Sequence, residues 1–140
     1  MNTNRRNIMK LGLVGAISTL VVPSRVFAAP SALASPLAGA IFYTHDKPGR
    51  WAGKEGAHTP MIERDGATIE VTTGHPMDGY NHYIVKHIIL DRNLGFVREV
   101  MFDPMNDSPV SRHDISGLND LVYAVSLCNK HDAWLNALEL

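Results

Sequence analysis

The run Tyr83-Ile84-Val85-Lys86-His87-Ile88-Ile89-Leu90, then Asp91-Arg92-Asn93-Leu94-Gly95, then Phe96-Val97-Arg98-Glu99-Val100-Met101-Phe102 decides how this chain is read. Two apolar, β-branched stretches of strand length flank a cluster of turn-forming residues, and Asp103-Pro104 closes the second. That pattern is a β-hairpin. Upstream, Met61-Ile62-Glu63-Arg64 runs into the hairpin dipeptide Asp65-Gly66, and Ala67-Thr68-Ile69-Glu70-Val71-Thr72 resumes with apolar and polar residues alternating. Downstream, residues 107–118 are irregular around Pro109 and Gly117, with room for one short edge strand. Residues 121–127 read as the next strand, although periodicity alone leaves a helix open there. Residues 134–138 could be a last strand, and residues 40–43 a short early one. Six or seven short strands without an amphipathic helix make an all-β, antiparallel sandwich or barrel.

The chain's beginning has another character. Asn4-Arg5-Arg6-Asn7-Ile8-Met9-Lys10 precedes an apolar run at residues 11–22, and Val26-Phe27-Ala28-Ala29 offers small residues for cleavage. At 12 residues the run is shorter than the ~20 a spanning helix needs, and Pro23 ends it. Residues 1–28 therefore read as an export signal, and the paired arginines resemble the twin-arginine type. This implies a bacterial, periplasmic protein whose first partner is the twin-arginine export machinery. Residues 29–57 are an N-terminal segment ending in a polar, Gly-rich loop that reads as mobile and exposed. Residues 58–140 are the sandwich.

Roughly 110 residues remain after the signal, enough for one core. Thirteen basic against fourteen acidic side chains give a net charge of -1, and no basic cluster suits a nucleic-acid surface. The single cysteine rules out an internal disulfide framework. An unpaired thiol in an oxidising compartment invites unwanted pairing, a liability that a bound metal would remove.

That thiol sits in Cys128-Asn129-Lys130-His131, where a tight turn after a strand brings sulfur and imidazole to one side. His75-Pro76-Met77-Asp78-Gly79-Tyr80-Asn81-His82 and His58-Thr59-Pro60 add three more imidazoles in turn-like segments. Five such donors exceed what a structural zinc takes. Copper would win on raw affinity, so a choice of iron would depend on loading before export. His45 and His113 read as surface residues, and His87 as a partly buried strand residue.

Taken together, His75-Pro76-Met77 leading to His82-Tyr83-Ile84, Cys128-Asn129-Lys130-His131 before Trp134, and His58-Thr59-Pro60 resemble the iron-binding domain of the superoxide reductases, the desulfoferrodoxin and neelaredoxin family. The resemblance covers about residues 54–136. It implies an immunoglobulin-like β-sandwich with one non-haem iron held by His58, His75, His82 and His131 in a plane and by Cys128 along the axis. It also implies reduction of superoxide to hydrogen peroxide, with an external electron donor, rubredoxin-like or a periplasmic cytochrome, and leaves a homo-oligomer possible. The family places Glu and Lys directly before the first ligand histidine, whereas this chain has Gly56 and Ala57 there and Lys54 and Glu55 two residues earlier. Lys54 and Glu55 are thus the candidates for those catalytic charges. Six residues separate His75 from His82 where the family has five, and Gly79 can absorb the extra one. A non-catalytic electron carrier or redox sensor of the same fold is the alternative that these departures keep open.

Overall fold

The computed structural model describes residues 32–140, so the export signal expected at residues 1–28 lies outside the described part. Seven strands follow in order: β1 (Met61–Asp65), β2 (Thr68–Thr72), β3 (Ile84–Leu90), β4 (Phe96–Met101), β5 (Val110–Asp114), β6 (Leu121–Cys128) and β7 (Asp132–Glu139). A 3-10 turn at Gly49–Trp51 and one helical turn, α1 (Glu55–His58), precede them. All strand pairs are antiparallel, in a three-stranded sheet ordered β1-β2-β5 and a four-stranded sheet ordered β4-β3-β6-β7. The architecture is an immunoglobulin-like β-sandwich.

Both hairpins read from the sequence form. Asp65 pairs with Thr68 around Gly66, whose φ of 60° is the left-handed value this tight turn requires. Residues 121–127 are strand rather than helix because alternate residues are buried on opposite faces, Val122 and Ala124 against Ile69 and Val71 of the facing sheet and Tyr123 against Ala32, and the ladder with β7 runs unbroken from Leu121↔Glu139 to Cys128↔Asp132. The early strand expected at residues 40–43 reduces to isolated bridges, Tyr43↔Trp134 among them. Nor is the segment before His58 a bare loop, since it holds the 3-10 turn and α1.

Alternation in β2 turns Ile69 and Val71 inward, where they meet Ile89, Val122 and Ala124 of the facing sheet. Burying side chains of this size stabilises the fold by roughly 1.5–3 kcal/mol each before chain entropy is subtracted. At one end of the sandwich the apolar core becomes Ile84, Phe102 and Cys128.

A polar seam crosses between the sheets. Thr73 Oγ1 donates to Ser126 Oγ at 2.8 Å and is hydrogen-bonded to His87 Nε2 at 2.9 Å. His87 Nδ1 meets Ser111 Oγ at 2.8 Å, which meets His113 Nε2 at 2.7 Å. This corrects two expectations: His113 is buried, not at the surface, and His87 is wholly rather than partly buried. The strand period in β5 points Ser111 and His113 inward together, and hydroxyls answer imidazoles where apolar neighbours would have left them unsatisfied. Only His113 Nδ1 in this seam lacks a partner. No helix among the described residues is long and apolar enough to cross a membrane.

Candidate metal centre

Three turns at one end of the sandwich deliver the donors. Cys128 is the last residue of β6, and His131 ends the tight turn before β7. Asn129 fastens that turn to the next one: its Oδ1 accepts the Tyr83 N–H at 3.0 Å and its Nδ2 donates to the Asn81 carbonyl at 3.1 Å. His82 is presented by a closed loop in which Asp78 N donates to the His82 carbonyl at 2.9 Å. Gly79 there has φ of 51°, a left-handed value that glycine takes without strain. His75 follows β2, and His58 ends α1.

The four imidazoles form a closed ring in the order His58, His131, His82, His75. Neighbouring ring centroids are 4.7, 4.8, 4.4 and 4.6 Å apart, whereas His58 and His82, across the ring, are 6.1 Å apart. The facing nitrogens are closer. His58 Nε2 lies 2.9 Å from His131 Nδ1, which lies 3.0 Å from His82 Nε2, which lies 3.1 Å from His75 Nε2. Cys128 Sγ lies 3.7 Å from His131 Nδ1, and all five donor atoms fall within 4.8 Å of one another.

Hydrogen bonds alone do not account for this ring. His58 Nδ1 donates to the Lys54 carbonyl at 2.9 Å and His75 Nδ1 to the Pro76 carbonyl at 2.5 Å, because a carbonyl can only accept. In a neutral imidazole the opposite nitrogen is then a bare lone pair. Two of the four facing nitrogens thus have no hydrogen, so at most two N–H groups remain for three contacts. One contact must set lone pair against lone pair or N–H against N–H.

The rings are held neutral. Burial, with the neighbouring imidazoles adding, pushes His58 down to about 4. His75, His82 and His131 are lowered too, again first by burial, with Lys130 and Lys54 adding to the effect on the last two. A shared cation would resolve the conflict, because it can take the lone pairs of all four nitrogens at once, which no placement of two hydrogens over three contacts can do. The residues present therefore fit a metal, with His58, His75, His82, Cys128 and His131 as the group able to hold it.

Lys54 and Glu55 take different places. Lys54 fixes His58 through its carbonyl, and its charge reaches His82 and His131. Glu55 Oε1 accepts the Gly53 N–H at 3.0 Å, which is the main reason its carboxyl is held below the usual range. His45 is exposed beside Asp46, as expected from the sequence.

Sequence reasoning missed three residues beside the ring. Asp132, directly after His131, has φ of 62°. For an L-residue that conformation costs roughly 1–2 kcal/mol, less for Asp, whose short polar side chain can bond locally. Its carboxylate accepts from the Arg50 guanidinium and, at 2.9 Å, from Trp51 Nε1. The Trp51 and His131 rings meet edge-on with centroids 4.7 Å apart. Trp134, which follows the Cys128–His131 turn, lies 5.5 Å from the His58 ring and donates its indole N–H to the His131 carbonyl at 2.8 Å. The detectable signal was a charged residue in a turn where glycine would be unstrained.

The fold and the cluster together define a class: an immunoglobulin-like antiparallel β-sandwich with four histidines and one cysteine gathered at one rim as a group able to hold a metal. No protein-family profile matches the chain, and no curated protein does. Among solved structures it is similar to a variant of the superoxide reductase (neelaredoxin) from Ignicoccus hospitalis, at 24% identity over 73% of this chain and 94% of that one, with a TM-score of 0.66. It is also similar to the one-iron superoxide reductase from Giardia intestinalis, at 22% identity over 61% of this chain and 100% of that one, with a TM-score of 0.56. At these identities what is shared is the fold.

Proposed function

We propose that this chain is an exported one-iron superoxide reductase. The observation that carries the reading is the convergence of four imidazole nitrogens and one thiol within 4.8 Å, with more facing nitrogens than hydrogens to pair them. Imidazole with thiolate suits iron. When bound, iron supplies one electron to superoxide, which leaves with two protons as hydrogen peroxide, and an external one-electron donor restores the ferrous state.

The chain's own residues set the conditions. Lys54 and Lys130 place positive charge against His82 and His131, the half-buried side of the ring, and draw a small anion there. The Cys128 sulfur is shielded by Ile84 and Phe102 and accepts the Lys130 backbone N–H at 3.5 Å. Carbonyl bonds from Lys54 and Pro76 fix which nitrogen of His58 and His75 faces the metal. Reading residues 1–28 as an export signal supports a periplasmic reaction, with a periplasmic cytochrome or a rubredoxin-like protein as donor.

A second reading has its own support. Gly56 and Ala57 carry no charge where the family has Glu and Lys, and Glu55 is engaged with Gly53, which suits a non-catalytic electron carrier or redox sensor. Pulse-generated superoxide mixed with the ferrous protein separates the two. Oxidation approaching the diffusion limit, with one peroxide formed per iron, supports the enzyme. Oxidation no faster than for a buried redox centre supports the carrier.

A further inference from the structure

The segment before His58 is fastened to the metal end by one side chain. Asp132 binds Arg50 and Trp51 at once, Arg50 Nε donates to the Tyr43 hydroxyl at 3.1 Å, and the guanidinium lies 4.7 Å from the Trp51 ring centroid. The same segment continues through Lys54 to His58. Its two ends therefore converge on two members of the histidine ring, through Asp132 next to His131 and through the Lys54 carbonyl bonded to His58.

Asp120 offers a comparison within the molecule. It too is left-handed, with φ of 68°, and its carboxylate pairs with Arg92. It precedes Leu121, at the end of β6 opposite Cys128, and no indole joins the pair. What distinguishes Asp132 is that its acceptor oxygen seats an aromatic ring on His131.

From this geometry we infer that Asp132 is a positioning residue, a latch that seats Trp51 against His131 and closes the Arg50–His58 segment over that side of the metal ring, slowing the metal's escape. This rests on the five donors holding a metal and not on superoxide being the substrate.

The test has one readout without metal. Trp134 is fully buried, so collisional quenching of tryptophan fluorescence by acrylamide in the metal-free full chain reports on Trp51. Asp132→Gly relieves the left-handed backbone while removing the latch, so the fold is kept. The expected result is a steeper quenching slope than in the parent and, in the iron-loaded protein, transfer of iron to a chelator about tenfold faster. Asp120→Gly is expected to change neither. Trp51→Phe is expected to speed iron transfer as much as Asp132→Gly, with the double variant no faster than either alone. Unchanged quenching in Asp132→Gly, or additive effects in the double variant, would overturn the proposal. A parent that retains no iron would overturn the metal reading instead, while the quenching slope still decides whether Asp132 seats Trp51.

Discussion

Two groups of histidines lie at similar depth in this sandwich and are wired in opposite ways. His87 and His113 in the core are 0% and 2% exposed, and His58 and His75 at the rim are 2% and 6% exposed. Burial holds His58, His87 and His113 alike down to about 4. Yet in the core hydroxyls answer the ring nitrogens, Thr73 at His87 and Ser111 between His87 and His113, whereas at the rim nitrogen faces nitrogen. Depth and lowered basicity therefore do not mark a ligand. A mismatch between lone pairs and hydrogens does.

The sharpest way to break this contrast is to substitute one residue from each group. Cys128→Ser or His58→Ala should abolish stoichiometric iron, and with it the visible thiolate-to-ferric absorption. His87→Phe should leave iron content at one per chain while lowering stability by on the order of 2–4 kcal/mol, since Thr73 and Ser111 each lose a buried partner. Metal analysis and urea unfolding check both. Iron loss in His87→Phe would erase the distinction.

Removing the metal is the next largest effect. Iron held at a hundred times its dissociation constant adds about 2.7 kcal/mol, so a chelator should lower the melting temperature by roughly 10 °C in a domain of this size. The same chelator should not move the melting temperature of Cys128→Ser.

Acid should then expose the core pair. The folded pKa of His87 and of His113 lies below the unfolded value, so the unfolded chain takes up protons that the folded core refuses. Their contribution is complete above pH about 6.5 and is lost as the pH falls toward about 4, by on the order of a few kcal/mol for the two. Urea unfolding of the metal-free chain at pH 7.5, 6 and 5 measures it, with His58 adding in the same direction. A flat profile would mean that these imidazoles are not kept neutral by burial.

The smallest effect belongs to the surface. Arg92 and Asp120 are both about three-fifths exposed, and Arg92→Ala should cost less than about 1 kcal/mol, less still at high salt. It should leave iron binding untouched.

Much of this was legible in the sequence, for reasons that particular residues make plain. Period-two alternation at Ile69 and Val71 and the Asp65-Gly66 turn are local signals, and they located the strands. The five donors stood out because thiol and imidazole are rare and clustered. What escaped depended on distant partners: Ser111 and His113 look like surface residues until Thr73 and His87 are brought opposite them, and Asp132 looks like solvated charge until Arg50 and Trp51 arrive from 82 and 81 residues away.

X-ray absorption at the iron edge of the reconstituted protein examines the central claim most directly. Four nitrogen scatterers near 2.1 Å with one sulfur scatterer is the expected result. An iron shell without sulfur in the parent protein would contradict it.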